Sequence, residues 1–193
     1  MGIEFELKFR ATPQILRQLD NRLEGPRSCF KMQTTYYDTP SGGLSRRHYT
    51  LRTRLENQVA VCTLKTPAQG GGRGEWELAC DDIQVAIPEL CKLGAPAELP
   101  ELTKEGLIVV CGARFDRIAK TVELNGCTVE VALDEGVLMG GGKEIPLCEV
   151  EVELKAGNPD RCQAYANQLA IAYGLEPETK SKFRRALALY KGE

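Results

Sequence analysis

Acidic side chains stand on alternate residues near both ends of the chain. Glu4 and Glu6 precede Lys8 in Ile3-Glu4-Phe5-Glu6-Leu7-Lys8-Phe9, and Glu149, Glu151 and Glu153 alternate in Cys148-Glu149-Val150-Glu151-Val152-Glu153-Leu154. An extended strand sends successive side chains to opposite faces. Each run therefore has one apolar face and one charged face. Like charges two residues apart on one face repel unless a cation sits between them. Carboxylates in this arrangement are the oxygen donors that a hard divalent ion takes.

The same alternation rule assembles further charged faces. Arg52 and Arg54 share one, Thr63 and Lys65 another, and Arg73, Glu75 and Glu77 a third. Glu130, Ala132 and Asp134 alternate before Glu135-Gly136; Arg114 and Arg117 fall at an expected strand junction; Lys182 and Arg185 lie one helical turn apart near the end. A solvated sheet face usually mixes charge with Ser, Thr, Asn and Gln, whereas these faces carry almost only Glu, Lys and Arg. The signs also segregate, with Glu toward the two termini and Arg and Lys in the centre. A polyphosphate held with Mg2+ or Mn2+ matches both halves. The metal takes carboxylate oxygens. Arg binds phosphate oxygens through its planar fork, and Lys acts as a compact point charge. Hydrolysis would use the metal to neutralise developing charge and to acidify an attacking water.

The elements that must position these groups are mostly strands. Strands are predicted over residues 3–10, 30–38, 48–56, 59–66, 73–80, 107–115, 117–124, 127–134 and 144–155. Asn125-Gly126 is a strong hairpin signal between two of them. Thr12-Pro13 starts a helix reaching about residue 24. Short helices broken by Pro88, Pro96 and Pro100 fill residues 83–106, and two more close the chain over 159–173 and 180–190. Consecutive strands usually pair, so the sheet should be antiparallel. A purely charged face must see water or ions, and an apolar one must be covered. An inverted barrel meets both needs, with charge inside, apolar residues outside and helices on the outer wall.

Size and composition bound the alternatives. The 193 residues suit one domain spanning 1–193, and the near-balance of 25 basic against 27 acidic residues predicts neither a nucleic-acid nor a membrane partner. Eight cysteines are scattered without a C-x-x-C pair, beside the single His48, so a zinc site is not expected. They read as small buried hydrophobes in a reducing, cytoplasmic compartment. Gly140-Gly141-Gly142-Lys143 lacks the glycine and the Ser or Thr that a phosphate loop requires and reads as a turn. His48 reads as a surface or strand-edge residue, and Trp76, opposite Glu75 and Glu77, as packing beneath a helix.

Glu4-x-Glu6-x-Lys8 resembles the E-x-E-x-K signature of the CYTH, or triphosphate tunnel metalloenzyme, superfamily. The later order is similar across nearly the whole chain: Leu51-Arg52-Thr53-Arg54, Thr63-Leu64-Lys65, Glu75-Trp76-Glu77, Ala132-Leu133-Asp134, Glu149 to Glu153, and Ser181-Lys182-Phe183. The resemblance implies a mainly β, closed eight-stranded antiparallel tunnel binding triphosphates with Mg2+ or Mn2+. It implies that Glu4 and Glu6, with Glu149, Glu151, Glu153, Asp134 and Glu130, hold metal. Lys8, Arg52, Arg54, Lys65, Arg117 and Lys182 would grip phosphates, Arg117 being a better match than Arg114, and Lys182 would assist near the attacking water. Arg73, Arg114 and Arg185 join the candidate phosphate contacts, and Glu75 and Glu77 the tunnel wall. The segment Tyr36-Tyr37-Asp38-Thr39-Pro40 looks most like bacterial inorganic triphosphatases. Adenylyl cyclases and thiamine or RNA triphosphatases belong to the same superfamily. The implied partner is a small-molecule triphosphate, with a homodimer left open.

Overall fold

Long stretches of alternating polarity become one long sheet. The computed structural model describes residues 5–67 and 73–193; Glu4 and the Gly70-Gly71-Gly72 stretch lie outside them. In chain order the elements are β1 (Glu6–Arg10), α1 (Pro13–Arg22), β2 (Arg27–Asp38), α2 (Gly43–Arg46), β3 (Thr50–Glu56), β4 (Val59–Pro67) and β5 (Arg73–Ala79). Then come α3 (Ile83–Lys92), α4 (Leu99–Leu102), β6 (Ile108–Leu124), β7 (Cys127–Gly140), β8 (Lys143–Gly157), α5 (Pro159–Tyr173), β9 (Glu176–Pro177) and α6 (Lys182–Lys191). The strand order is β5-β4-β3-β2-β6-β7-β8-β1-β9, and every pairing is antiparallel.

Three features correct the sequence expectations. The sheet is curled but open: among the described residues no ladder joins β5 to β1 or β9, and β9 adds a two-residue ninth strand to the eight long ones. The two strands expected over 107–115 and 117–124 are one continuous β6, so Arg114 and Arg117 flank no junction. Finally, not every helix lies on the outer wall, as the core shows.

Three apolar clusters hold the sheet. On the convex face, Leu16 and Leu19 of α1 and Cys162, Ala166 and Leu169 of α5 pack on Phe9, Val129, Val131, Leu133, Val150 and Val152. Further along that face, Ile83, Ala86, Ile87 and Leu90 of α3 cover Leu51, Cys62 and Leu64, with Trp76 packed against them. A buried Leu or Ile contributes on the order of 1.5–3 kcal/mol. The third cluster joins Ala186 of α6 to Met32, Tyr36, Ala113, Phe115, Leu138 and Leu147. By strand alternation these positions share the concave face with Arg117, Asp134 and Glu149. The last helix therefore lies inside the curl, at one end. Gly140 makes the close approach of the two feasible: a Cβ there would stand 2.3 Å from the Ala186 carbonyl oxygen.

Local chemistry explains the element ends. Thr12 Oγ1 accepts from the Ile15 amide, and Asn158 Oδ1 from the Asp160 amide, each capping a helix whose first residue is proline. Buried Lys120 donates to the Leu23 carbonyl at 2.8 Å, placing a cation at the C-terminus of α1. Ser181 caps α6 by accepting from the Arg184 amide. Gly141-Gly142 forms the β7–β8 turn, and Asn57, at φ 57°, turns the β3–β4 hairpin. His48 is exposed. All eight cysteines are unpaired; four are buried, but Cys29 is exposed, against the expectation of uniform burial. Among the described residues no helix is long and apolar enough to cross a membrane.

Candidate active site

All eight long strands send side chains into one concave cleft of about 830 Å3. β5 and β1 lie far apart in the strand order, yet Glu75 and Glu77 of the one and Glu6 and Lys8 of the other line the same space. The curl thus gathers charges that are distant along the sheet.

One wall is basic. Arg52 and Arg54 of β3 and Lys65 of β4 face the cleft. The acid between the two arginines is loosely placed. Glu77 stands 3.7 Å from Arg52 and 3.9 Å from Arg54, and its own Oε1 accepts a 2.8 Å bond from the Thr63 hydroxyl. Arg54 also pairs with Glu56, and Lys65 with Glu75 at 3.1 Å. Among the described residues, Arg52 Nε and Arg54 Nε are buried without a hydrogen-bond partner. Burial and the adjacent Arg52 lower the pKa of Arg54. Burial alone would raise that of Glu77, but the Thr63 hydroxyl and the neighbouring guanidiniums hold it below the usual carboxylate range. Unpaired buried donors are costly, and an anion with several acceptor oxygens would satisfy both.

The opposite wall carries a row of acids set by register. Glu6 pairs across to Glu153, and Glu153 to Glu130, so three carboxylates from β1, β8 and β7 stand side by side. Lys8 bonds Glu6, while Lys155 lies 2.9 Å from Glu153 and 3.7 Å from Glu130. These are hard-oxygen donors of the kind a divalent metal takes, while the carboxylates whose oxygens converge within 4.8 Å among the described residues are those of Asp134, Glu149 and Glu151.

Between the walls, a cluster of buried charge forms the floor. Asp134 and Glu149 are fully buried and Glu151 nearly so. Arg117 binds Asp134 in bidentate fashion, with both contacts at 2.7 Å, and reaches Glu151 at 2.5 Å. Lys182, at the start of α6, bonds Glu149 and lies 2.8 Å from Asp134 and 2.7 Å from Glu151. Arg185, one turn on, bonds Glu149. The three acids could meet at a metal, since one oxygen from each lies within 4.8 Å of the others; in this arrangement the Lys182 ammonium sits among them. Burial would lower the pKa of Lys182, but Glu151, Asp134 and Glu149 more than reverse that and push it above the usual lysine range. Glu151 is held well below the carboxylate range, because Lys182 and Arg117 outweigh its burial. Glu149 goes the other way, pushed up to about 7 by burial, with Lys182 opposing and Glu151 adding to the rise.

Between floor and basic wall runs an apolar strip of Phe30, Met32, Tyr36, Phe115 and Phe183. Phe115 lies beneath two cations, 5.3 Å from Lys182 Nζ and 5.7 Å from the Arg117 guanidinium carbon. The Tyr36 and Phe183 rings meet at a tilt, 48° between planes and 5.0 Å between centroids.

The structure thus brings Glu6, Lys8, Arg52, Arg54, Lys65, Glu75, Glu77, Arg117, Glu130, Glu151, Glu153 and Lys182 to the cleft. Asp134 and Glu149 lie just beneath it, and Arg185 touches it only through Glu149. Arg114 does not reach it: three residues from Arg117 on a period-two strand, it points the other way, 63% exposed and 3.8 Å from Glu144. Glu4 and the Arg73 side chain lie outside the described parts. Sequence reasoning missed Lys155, although it continues the alternation of 149, 151 and 153. It also missed the apolar strip, which alternates in β2 without charge to mark it. Glu178, buried and 2.8 Å from Arg10, carried no signal at all.

Comparison with known proteins gives a consistent picture. The CYTH domain family matches residues 2–187. The chain is 29% identical over 192 residues to an inorganic triphosphatase of Haemophilus influenzae, covering 96% of this chain and 54% of that protein. It therefore spans about half the length of the curated relative it matches. Among solved structures, a Hippeastrum protein described as a candidate adenylyl cyclase with dominant triphosphatase activity superposes with a TM-score of 0.67 at 21% identity, over 98% of this chain and 96% of its own. A Pyrococcus horikoshii protein gives 0.61 at 22%, over 97% and 99%. A Bacillus halodurans protein described as a candidate adenylate cyclase gives 0.62 at 16%, over 95% and 97%. At these identities the likeness is one of fold.

Proposed function

The chain belongs to the CYTH family, and on that premise we propose that it is a metal-dependent hydrolase cleaving inorganic triphosphate to diphosphate and phosphate. The observation that carries this reading is the pair of under-bonded guanidiniums, Arg52 and Arg54, facing an acidic row across one cleft. The 29% identical triphosphatase of Haemophilus influenzae supports the same choice of substrate.

In this reading Arg52, Arg54 and Lys65 take the phosphate oxygens that complete their hydrogen bonding. Glu6, Glu130 and Glu153, with Glu151 behind them and Glu4 beside them in sequence, would hold Mg2+ or Mn2+. That ion supplies charge neutralisation at the phosphoryl group and a more acidic water. Arg117 and Lys182 present fixed positive charge between the walls. Bonded to Glu149 and Glu151 and 2.8 Å from Asp134, Lys182 would act through its charge and its position. The Phe115 ring backs both cations. The curled sheet then acts as a tunnel wall around the substrate, within a single domain of 193 residues working in the cytoplasm.

A second reading is hydrolysis or cyclisation of a nucleoside or thiamine triphosphate. The apolar strip favours it, because Phe30, Met32 and Tyr36 offer an organic group a surface that inorganic triphosphate would not use. Phosphate release should be measured from tripolyphosphate, ATP and thiamine triphosphate with Mg2+, with Mn2+ and with chelator. The first reading expects tripolyphosphate to be the best substrate, turnover to vanish with chelator, and Glu6→Gln and Glu153→Gln to be impaired. Cyclic AMP from ATP would favour the second reading, and tight binding without turnover under either metal would mean a binding module.

A further inference from the structure

Glu178 stands outside the cleft, in the segment between β9 and α6, yet it is almost fully buried. Three contacts fix it. Its carboxylate accepts from the Lys180 amide at 2.8 Å and from Arg10 Nε at 2.8 Å, and its own amide donates to the Lys8 carbonyl at 2.8 Å. It is thereby tied both to β1 and to the approach to α6. Arg185 lies between this carboxylate, 3.6 Å away, and that of Glu149, which it bonds. Among the described residues Arg185 Nε is buried without a hydrogen-bond partner. Its guanidinium is therefore aimed by the two carboxylates that flank it. Glu149 in turn bonds Lys182. Removing Glu178 would leave Arg185 with Glu149 as its one acidic neighbour. Arg185 and Lys182 would then compete for that carboxylate in a low-dielectric floor, where like charges repel strongly.

We infer that Glu178 is a positioning residue that sets the Lys182 ammonium through Arg185 and Glu149 from outside the cleft. The inference of an effect on turnover rests on the triphosphatase reading; the placement of Lys182 does not. Glu178→Gln keeps the size and the acceptor for the Lys180 amide but removes the charge facing Arg185. Glu178→Asp keeps the charge on a shorter stem.

Two readouts on the full chain test this. The first is the rate of reductive methylation of each lysine, followed by mass spectrometry. Lys182 should methylate at least fivefold faster in Glu178→Gln than in wild type, with Lys65 unchanged and Glu178→Asp intermediate. An unchanged Lys182 rate, or equal acceleration of every lysine, would overturn the placement. The second is tripolyphosphate turnover with Mg2+. We expect kcat to fall about tenfold with KM within twofold, because the basic wall is untouched, and Glu178→Asp to recover part of it. A kcat unchanged beside a faster Lys182, or a KM that rises in step, would overturn the role in catalysis. Wild-type protein inactive on tripolyphosphate would refute the functional reading and leave methylation to decide the placement. If Glu178→Gln does not fold, Arg10→Ala, which loosens Glu178 from the solvent side, should move Lys182 methylation in the same direction, and no change there would overturn the placement.

Discussion

The basic wall and the charged floor contain the same residue types but differ in how completely they are bonded. On the floor, Arg117, Lys182 and Arg185 face Asp134, Glu149 and Glu151, and each ion touches at least one partner of opposite sign. On the wall, Arg54 pairs with Glu56 and Lys65 with Glu75, but Arg52 reaches Glu77 only at 3.7 Å, and among the described residues the Nε groups of both arginines are buried without hydrogen-bond partners. The floor, where every acid is closely paired and Arg185 Nε is the one guanidine donor left over among the described residues, fixes geometry, because breaking any pair strands a buried charge. The wall, with two adjacent guanidiniums under-bonded, is the region proposed to take an anion. Two adjacent arginines are a poor structural device, and burial, with Arg52 adding to it, lowers the pKa of Arg54.

This contrast can be broken most sharply at Lys182. Replacing it by Met leaves three buried carboxylates to two arginines, and loss of one partner from a buried pair costs about 3–5 kcal/mol. An unfolding free energy from urea melts lower by about that amount, with the midpoint falling in proportion, is expected. The equivalent change on the wall, Arg54→Ala, should leave the midpoint unchanged or raise it. Similar losses at both sites would erase the distinction.

A smaller effect is expected from Gly140→Val. The added side chain meets the α6 backbone at Ala186, and overpacking of this kind costs about 1–3 kcal/mol. The helix should lift and carry Lys182 with it. Tripolyphosphate turnover would then fall while its binding by the wall persists; loss of both together would show that the two regions are not separable.

The smallest expected effect is a pH dependence at Glu178. Burial would raise its pKa, but the Lys180 amide, Arg10 and Arg185 hold it below the ordinary 4.5. A carboxyl with a depressed folded pKa stabilises the protein above its unfolded value and loses that contribution as pH falls through the folded one. Wild type should therefore be more stable than Glu178→Gln at pH 7, and the gap should narrow below pH 4.5. Urea midpoints at three pH values check this, and a gap that widens on acidification would contradict it.

Much of the cleft was legible because strand alternation is a strict rule. Once residues 3–10, 48–56 and 144–155 were read as strands, Glu6 and Lys8, Arg52 and Arg54, and Glu149 to Glu153 had to share faces. The same rule, applied through an assumed junction near residue 116, misplaced Arg114; an unbroken β6 puts it on the other face from Arg117. The position of α6 was not legible. Its stripe of Ala186, Leu187 and Leu189 shows that it packs, but a helix covering either side of a sheet has the same pattern. Glu178 meets Arg10 across 168 residues of chain, and no local period encodes such a pair. Closure of the sheet was over-read, because a charged inner face needs only curvature to enclose water, not a final ladder.

The anion-binding role proposed for Arg52 and Arg54 is what sets the wall apart from the rest of the cleft. It is tested most directly by calorimetric titration of tripolyphosphate into wild type, Arg54→Ala and Arg114→Ala at one fixed salt concentration. A hydrogen bond to a charged group is worth about 1.5–3 kcal/mol, so Arg54→Ala should bind roughly 10–100-fold more weakly, with Arg114→Ala like wild type. Equal affinity for all three proteins, or a loss confined to Arg114→Ala, would contradict the account.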